Sequence, residues 1–345
     1  MSVRLTTLVK RHLGVDPEIT GVTADSRKVK PGFLFAALPG SHADGATFAA
    51  RAVEAGAAAV LADEDLNLSV PTVVCRDPRR GYALAAANFW GRQPQTCVAV
   101  TGTNGKTSVA TFCRQMFAHA GHVSASMGTL GVTVSRPGGV VEQITPPGGL
   151  TTPDAGDVAE LLMRISQLGV THFAMEASSH GIDQRRLDGV RLSAAGFLNL
   201  TQDHLDYHGT MESYRGAKLR LFEQLMPRGA TAYPFFAAAS VVSGQRVMSV
   251  GETGQALRLM QRTALPDGQR LSIRAEGRLH DVKLPLVGAF QASNALVAAG
   301  LCRAAGLSYD ETFAALETID GAPGRLQRVG QGPRGGEAYV DYAHT

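Results

Sequence analysis

The chain has 345 residues, 44% of them hydrophobic, and a formal net charge of +3. This length predicts roughly two or three domains with substantial cores. The small net charge and the lack of a basic block give no indication of nucleic-acid binding. The sequence has neither a signal-peptide core nor an apolar run of about 18 residues, so no membrane span is expected. The four cysteines are scattered without a Cys-x-x-Cys pair, which indicates reduced thiols in the cytoplasm.

Residues 1–92 are predicted to form a first α/β unit. Strand-like runs occupy 33–38, 58–62 and 72–75, and helix-like runs occupy 46–55 and 81–90. Alternation of the two types is typical of an α/β layer. Two polar turns, at 25–27 and 40–45, flank the first of these strands. Each turn is compatible with a plain loop or with a ligand contact.

A glycine-rich turn follows the apolar run Cys97–Val100 and precedes a one-faced apolar helix that ends near Gly121. Its pattern, Gly-x-x-Gly-Lys-Thr from Gly102 to Thr107, is shorter than the usual Walker A loop. Strand, turn and helix N-terminus together predict a phosphate site, in which backbone N–H groups and Lys106 face the anion. Thr107 is a candidate Mg²⁺ ligand. The alternative, an ordinary βα turn, leaves Lys106 without a role.

Two later strands are predicted to end in polar residues. The strand at 170–176 ends in Glu176, the arrangement of a Walker B acid, although a plain edge residue is the alternative. The strand at 194–200 runs into a segment rich in potential metal ligands. These are Asp203, His204, Asp206 and His208. Zinc sites usually contain Cys or more His at set spacing. We therefore interpret one of the four as a Mg²⁺ ligand and the others as scaffold.

The remaining segments are predicted from composition and periodicity. Residues 135–150, rich in Gly and Pro, are expected to form an exposed loop. The hydroxyls and the carboxylate of 150–154 suit either a ligand or the cap of the next helix. Helices are predicted at 155–168, 211–226, 288–305 and 309–316, a β-rich stretch at 230–285, and a strand beginning at 338.

Five segments of the sequence together resemble the Mur ligase family. They are Thr101–Thr107, Glu176–His180, Asn199–Asp206, Lys218 and Asp341–Thr345. The resemblance covers the whole chain and implies an α/β protein of defined domains. These are an N-terminal UDP-substrate-binding domain (1–92), a central P-loop ATPase domain with a mostly parallel sheet and a smaller β-rich part (93–326), and the start of a C-terminal Rossmann-like domain (327–345). Because the rest of the third domain is absent from the sequence, the resemblance implies a truncated ligase.

The resemblance also implies roles for individual residues. ATP is assigned to Gly102, Thr103, Asn104, Gly105, Lys106, Thr107, Ser108, Asn294, Arg325, Asp341 and His344. The UDP end of the substrate is assigned to Ser26, Ser41, His42 and Ala43, and its muramoyl-peptide to Thr151, Thr152, Ser178, Gln184 and Arg186. Mg²⁺ is assigned to Thr107, Glu176, His204 and Lys218, and the catalytic set is Lys106, Glu176, His204 and Lys218. Lys218 is expected as a carbamate, whose oxygens suit a hard cation. Gln291 stands where many relatives have Asn.

The implied activity is ATP-dependent amide-bond formation in peptidoglycan precursor synthesis. A diamino acid, meso-diaminopimelate or L-lysine, is added to UDP-N-acetylmuramoyl-L-alanyl-D-glutamate through an acyl phosphate. Such chemistry depends mostly on positioning and charge neutralisation. The sequence does not distinguish the two amino acids. We expect a cytoplasmic monomer without nucleic-acid or membrane partners.

Two alternative functions are considered. Folylpolyglutamate synthase has a similar ATPase core but lacks a comparable UDP-binding domain ahead of the phosphate loop. The second alternative is a UDP-sugar-binding module without ligase activity, because the third domain is missing from the sequence.

Overall fold

The computed structural model describes residues 1–40, 44–139, 141–144, 151–234, 246–331 and 336–342. Ser41, His42, Ala43 and His344, to which ligand contacts are assigned above, lie outside the described residues. The chain divides into two compact units. The first comprises Met1–Gln93, Pro153–Ser166 and Gly181–Val190, and the second comprises Pro94–Thr152, Gln167–His180 and Arg191–Thr345. Two segments that follow the phosphate loop in sequence thus group with the N-terminal region.

Residues 1–93 fold as the predicted α/β layer. The strands are β1 (Val3–Arg4), β2 (Glu18–Ile19), β3 (Gly21–Thr23), β4 (Phe33–Ala36), β5 (Ala59–Ala62) and β6 (Thr72–Val74). The helices are α1 (Leu5–Val9), α2 (Ala49–Glu54) and α3 (Pro78–Trp90), with 3₁₀ turns at Ser26–Lys28 and Gly45–Phe48. Strands β3 to β6 form one parallel sheet in chain order. Helix α3 begins earlier than predicted because Asp77 caps it, accepting the N–H of Arg80 at 3.0 Å.

The second unit contains an eight-stranded sheet. Its strands are β7 (Thr96–Thr101), β8 (Ser124–Gly128), β9 (Gly131–Ser135), β10 (Val141–Ile144), β11 (His172–Glu176), β12 (Ala194–Phe197), β13 (Thr231–Pro234) and β14 (Arg246–Val247). Their order is β10-β9-β8-β11-β7-β12-β13-β14, with only β9 and β10 antiparallel to their neighbours. The predicted α/β class with a mostly parallel sheet is confirmed. The carboxyl ends of β11, β7 and β12 lie side by side, which is where parallel sheets bind ligands.

One predicted loop is partly wrong. Val141–Ile144 forms an edge strand antiparallel to β9, within the stretch 135–150 that the Gly and Pro content assigned to a loop. Three of its four residues are exposed, so the strand has little of the apolar alternation that identifies strands from sequence. Residue 140 and residues 145–150 lie outside the described part of the chain.

The remaining elements confirm the predicted helices and the described part of the predicted β-rich stretch, of which residues 235–245 lie outside the described residues. The helices are α4 (Lys106–His119), α5 (Ala155–Gln167), α6 (Ser179–Asp183), α7 (Leu205–His208), α8 (Met211–Arg220), α9 (Ala289–Ala304) and α10 (Tyr309–Leu316). The strands are β15 (Val250–Gly251), β16 (Leu257–Leu265), β17 (Gly268–Ala275), β18 (Arg278–Leu284), β19 (Gln327–Gln331) and β20 (Glu337–Val340). The helix predicted at 211–226 is α-helical only to Arg220 and continues as a π-turn, Leu221–Leu225.

Helices α4 and α9 pack together in the core of the second unit. Cys302 Sγ lies 3.9 Å from Met116 Sδ, and Cys113 Sγ contacts the carbonyl of Ala298 at 3.8 Å. The alanines that line α9 are buried and let the two backbones approach closely. The core therefore fixes α4, whose N-terminus follows the phosphate loop.

Among the described residues, no helix combines the length and the apolar character that crossing a membrane requires.

Two stacked histidines lie at the amino end of the central sheet. The rings of His122 and His172 are 3.8 Å apart at 28°. His172 begins β11 and also contacts Thr171, whose Oγ1 is 2.9 Å from its Nδ1. Burial first, and then the neighbouring His122, lowers the pKa of His172 to about 4. The folded protein therefore holds this imidazole neutral below the pH at which the unfolded chain protonates it.

We expect the free energy of unfolding to fall as the pH drops from about 6.5 to about 4. In this window the unfolded chain binds a proton on His172 and the folded chain does not, so acid favours unfolding. The contribution is fully present above the upper pH and amounts to as much as about 3 kcal/mol. Denaturant unfolding at a series of pH values measures it. His172→Phe keeps an aromatic ring against His122 and should flatten the dependence, whereas His12→Phe, at an exposed site, should not. An equal slope in His172→Phe and the wild type would contradict this assignment.

Candidate active site

The turn between β7 and α4 has a backbone that requires glycine at two points. Gly102 has a φ of 150° and Gly105 a φ of 88°. A Cβ atom on Gly102 would lie 2.8 Å from the Cβ of Leu198, and one on Gly105 would overlap Oδ1 of Asn294. The glycines that mark this turn in the sequence are therefore needed both for its dihedral angles and for its close packing.

Residues that follow β12 hold the turn in place. The backbone N–H of Thr103 donates to the Asn199 carbonyl at 3.0 Å. The N–H of Asn104 donates to Oδ1 of Asn199 at 2.8 Å, and the Asn199 amide donates back to the Asn104 carbonyl at 3.0 Å. The Thr103 hydroxyl donates to the carbonyl of Thr201 at 3.1 Å. The ends of β7 and β12 thus form one platform at the N-terminus of α4, where backbone N–H groups favour an anion.

Lys106, the first residue of α4, lies across this turn. Its Nζ donates to the carbonyls of Gly102 at 2.9 Å and Thr103 at 2.8 Å. Burial lowers the pKa of Lys106, and the carboxylates of Glu176 and Asp203 act in the opposite direction. The lysine therefore lies where its charge would neutralise an anion bound on the turn. The neighbouring Thr107 and Ser108 are buried in the first turn of α4.

Lys218, on α8, reaches the same carbonyl oxygen. Its Nζ donates to the Gly102 carbonyl at 2.9 Å, and the side chain is almost fully buried. Burial first, and then the positive charge of Lys106, lowers the pKa of Lys218 to about 6. At neutral pH the amine is therefore largely uncharged, and an uncharged amine is the form that attacks carbon dioxide.

Tyr214 connects Lys218 to the phosphate turn and to His204. The Lys218 Nζ lies 4.4 Å from the centroid of the Tyr214 ring, and the Tyr214 hydroxyl is 3.2 Å from Oγ1 of Thr103. The ring of His204 lies 6.5 Å from that of Tyr214. The structure thus places Lys218 and His204 around one aromatic side chain.

Glu176 ends β11 and is buried beside the phosphate turn. It accepts the N–H of Thr129 at 2.8 Å and the Thr129 hydroxyl at 3.4 Å. Burial raises the pKa of Glu176, while Lys106, Thr129 and a hydrogen bond from Thr107 lower it. Gly128 faces the carboxylate, and any Cβ there would overlap it. The Thr107 hydroxyl and the Glu176 carboxylate are neighbouring oxygen donors of the kind that Mg²⁺ prefers.

His204 occupies a left-handed backbone position after β12. Its φ is 52°, its N–H donates to Oδ1 of Asp203 at 2.9 Å, and its ring lies 4.9 Å from that of His180. About half of its side chain is exposed. Within the described residues, no three His, Cys, Asp or Glu side chains come together as a metal-binding cluster. Metal binding here would therefore need donors of other types, such as the hydroxyl of Thr107.

Three residues assigned to the muramoyl-peptide gather around Glu176. The Thr152 hydroxyl donates to the Glu176 carbonyl at 3.3 Å and lies 3.0 Å from Oγ of Ser178. Thr151 Oγ1 lies 3.2 Å from Oγ1 of Thr129, the residue that donates to Glu176. The structure therefore brings Thr151, Thr152 and Ser178 together at the carboxyl end of β11.

Three of the residues assigned to ATP, Asn294, Arg325 and Asp341, lie in or next to one connected group. Asn294 donates to Oε1 of Gln291 at 3.2 Å, and Gln291 donates to the carbonyl of Arg325 at 3.1 Å. Arg325 in turn donates to the carbonyl of Tyr342, next to Asp341. Gln291 thus connects two of the assigned residues, Asn294 and Arg325. Asn294 also lies against Gly105.

The first unit carries the other assigned residues and a large cavity. Ser26 lies on the 3₁₀ turn that Asp25 caps by accepting the N–H of Arg27 at 3.0 Å. It lines a cavity of about 1220 Å³, large enough for a nucleotide-sized ligand. Gln184 and Arg186 contact each other, with Arg186 Nη2 donating to Oε1 of Gln184 at 2.6 Å.

Asp154, in the segment 150–154, is both a helix cap and part of the wall of this cavity. Asp154 accepts the N–H of Gly156 at 2.9 Å, as a helix-capping residue does, and the hydroxyl of Tyr82 at 2.7 Å. Both Asp154 and Tyr82 line the cavity. The Asp154 carboxylate therefore caps α5 and also faces the cavity of the first unit.

Three residues of the site received no role from the sequence, although Asn199 lies in one of the segments that resemble the family. Asn199 and Thr129 hold the phosphate turn and Glu176 through contacts between distant segments, which local patterns do not reveal. Tyr214 stands four positions before Lys218 on α8, a spacing that places two side chains on one helix face. That spacing is the signal that would have indicated Tyr214.

Family models match most of the chain. The Mur ligase middle domain matches residues 100–302, and the catalytic domain of the Mur ligase family matches residues 18–87. The first match contains the phosphate turn, Glu176, His204 and Lys218. The second contains Ser26 and the parallel sheet β3 to β6.

Curated and solved proteins extend this similarity. The chain is 65% identical to the UDP-N-acetylmuramoyl-L-alanyl-D-glutamate–2,6-diaminopimelate ligase of Caulobacter vibrioides, over all of this chain and 73% of that protein. A solved structure of a ligase with the same name superposes with a TM-score of 0.84 at 27% identity, over 96% of this chain and 70% of the other. Folylpolyglutamate synthase of Mycobacterium tuberculosis has a TM-score of 0.60 at 20% identity, over 77% of this chain and 67% of that one, which shows a shared fold only. From the two family models and the close relative, the chain belongs to the Mur ligase family.

Proposed function

We propose that the protein is an ATP-dependent ligase that adds 2,6-diaminopimelate to UDP-N-acetylmuramoyl-L-alanyl-D-glutamate. The relative with 65% identity is named for this reaction, whereas the folylpolyglutamate synthase has 20% identity. This name also favours diaminopimelate over lysine. In this proposal residues 1–92 bind the UDP end and residues 93–326 bind ATP. The four cysteines are thiols, which suits a reducing cytoplasm, where we expect the protein to act as a monomer.

The main support for the proposal is that the side chains of Lys106 and Lys218 both donate to the Gly102 carbonyl. In a ligase that forms an acyl phosphate, negative charge develops on the phosphate that is transferred. The backbone N–H groups of 102–108 and the charge of Lys106 would bind and neutralise that phosphate. Asn294, Arg325 and Asp341 would hold the rest of the nucleotide.

The oxygen donors around Glu176 would hold Mg²⁺. Thr107 and Glu176 are already neighbours, and burial of the Glu176 carboxylate carries a cost that a divalent cation would offset. His204 and a carbamate on Lys218 would complete the set. When bound, the cation would neutralise phosphate charge, and the protein's own residues would orient the donors. A protonated amine on Lys218 would instead repel the Mg²⁺ ion.

Two groups of residues would hold the UDP-linked substrate. Ser26, with the cavity of the first unit, would bind the UDP end, and Ser41, His42 and Ala43 belong to the same proposal. Thr151, Thr152, Ser178, Gln184 and Arg186 would hold the muramoyl-peptide. The hydroxyls of Thr152 and Ser178 lie at the end of β11, beside Glu176. They would orient the substrate carboxylate that attacks the phosphate.

Lys106→Ala should weaken ATP binding by at least about tenfold, because a charged hydrogen bond contributes about 1.5–3 kcal/mol. Calorimetry with ATP and Mg²⁺ measures the affinity. Lys283→Ala, which removes an exposed lysine that pairs with Asp267, is the matched control and should leave it unchanged. Equal affinities of Lys106→Ala and the wild type would exclude the phosphate site proposed here.

The reaction itself is tested by following tripeptide product from ATP, UDP-N-acetylmuramoyl-dipeptide and either diaminopimelate or lysine. Product with diaminopimelate, lost in Lys106→Ala, is expected. Binding of the UDP-substrate without ATP turnover would instead favour a UDP-sugar-binding module. Product from a folate substrate would favour the folylpolyglutamate synthase alternative.

Lys218 should carry a carbamate at neutral pH. With ¹³C-labelled bicarbonate, a carbamate carbon signal is expected in the wild type and in Lys283→Met, and should be absent from Lys218→Met. Because the pKa of Lys218 is about 6, its amine is mostly neutral throughout the range from pH 7 to pH 8. Carbamate formation from a neutral amine releases one proton, so at constant dissolved carbon dioxide the ratio of carbamate to amine at Lys218 should rise about tenfold per pH unit over this range. An ordinary, protonated lysine releases two protons, and its ratio would rise about a hundredfold per pH unit. A signal that persists in Lys218→Met would refute the assignment.

A further inference from the structure

A second cavity lies in the larger unit, beside α4. Its volume is about 380 Å³, within the range of roughly 300–1,000 Å³ that small-molecule sites occupy. One part of its wall is formed by Thr107 and Glu176, at the proposed phosphate and Mg²⁺ site. Another part is formed by Arg114 and Ser126, two turns further along α4 and on the neighbouring strand β8. The cavity thus connects the reaction centre to the Arg114 side chain.

Arg114 is buried although it carries a charge. Only 8% of the residue is exposed. Its Nε donates to the Ser126 hydroxyl at 3.1 Å, and its Nη1 donates to the Ser135 hydroxyl. Both partners are neutral hydroxyls, so these hydrogen bonds position the guanidinium without balancing its charge.

No carboxylate among the described residues compensates Arg114. Burial alone lowers the pKa of Arg114, to about 10, with no contribution from an acidic neighbour. The side chain is therefore still a cation at neutral pH. Glu176 lines the same cavity, but its carboxylate interacts with Lys106, Thr129 and Thr107. A buried, unbalanced cation is costly unless an anion lies beside it.

The surroundings of Arg114 favour a small oxyanion over a large ligand. The guanidinium offers a planar set of donors that matches phosphate oxygens. Hydroxyls of Thr111, Ser126 and Thr133 and the amide of Gln143 also line the cavity and add uncharged donors. The available volume accommodates a tetrahedral ion with several waters. A bound oxyanion would balance the positive charge of the Arg114 guanidinium.

We propose that this cavity is a binding site for inorganic phosphate, with Arg114 as its principal ligand. A ligase that proceeds through an acyl phosphate releases inorganic phosphate when the amine nitrogen bonds to the acyl carbon. The C–O bond to phosphate then breaks, its electron pair leaves with the phosphate, and the amine gives up a proton. The product forms at Thr107 and Glu176, which line the same cavity as Arg114. The role as a product site rests on the proposed function, but binding of phosphate does not.

The test measures binding of radiolabelled inorganic phosphate by equilibrium dialysis. Because the phosphate turn itself binds anions, the measurement uses Lys106→Ala protein, in which that site is weakened. Adding Arg114→Met, which keeps a long buried side chain without charge, should reduce the remaining binding at least tenfold. Arg114→Lys should retain part of it, and Arg278→Met, at an exposed arginine of the same unit, should retain all of it. Sulfate should compete and acetate should not.

Each outcome decides the proposal. Loss of all phosphate binding in Lys106→Ala alone, or full binding after Arg114→Met, overturns it. Competition by acetate as strong as that by sulfate also overturns it, because the site would then be one for carboxylates. Thermal unfolding checks each variant. If Arg114→Met is unfolded, Ser126→Ala, which removes a hydroxyl from the cavity wall and from Arg114, replaces it and should weaken binding several-fold. ATP affinity, measured separately, reports on the proposed function, so failure of one is distinguished from failure of the other.

Discussion

The carbonyl oxygen of Gly102 accepts hydrogen bonds from two lysine side chains, Lys106 and Lys218, each at 2.9 Å. Two amines at one oxygen repel each other when both are charged, and burial removes the water that would screen them. The arrangement is therefore stable when one lysine is neutral, and the pKa of about 6 identifies Lys218 as that lysine. Burial is the larger cause of this lowered pKa, and the charge of Lys106 at the same oxygen lowers it further.

The parallel sheet makes this contact possible. Strand β7 lies between β11 and β12, so the phosphate turn, Glu176 and the segment with Asn199 and His204 begin at neighbouring strand ends. Helix α8 then brings Lys218 to the turn, with Tyr214 packed between Lys218 and His204. The packing of α4 on α9 fixes the helix whose N-terminus follows the phosphate turn. Helices α4 and α8 and strand β11 therefore hold Lys106, Lys218 and Glu176.

The sequence predicted those parts of the site that consist of residues adjacent in the chain. The Gly102–Thr107 turn and the acid that ends β11 are both marked by short apolar runs and special residues. Thr129 and Asn199 were missed because their contacts depend on which strands become neighbours. Strand β10 was missed because its mostly exposed residues show no regular alternation of apolar and polar side chains. Arg114 received no role from the sequence, since only the β8–β9 hairpin determines what surrounds its guanidinium. The positions of Lys218 and His204 came from family resemblance, and no spacing rule would have supplied them.

The measurement that most directly tests this account is the pKa of Lys218 in the wild type and in Lys106→Met. NMR titration of the labelled lysine side chain in carbon dioxide-free buffer gives both values, with Lys283→Met as the control. A wild-type pKa near 6, far below the ordinary lysine value of 10.5, is expected. Removing the charge of Lys106 should raise it, but not to the ordinary value, because burial has the larger effect. A wild-type pKa near 10.5, or one that Lys106→Met leaves unchanged, would contradict the coupling of the two lysines.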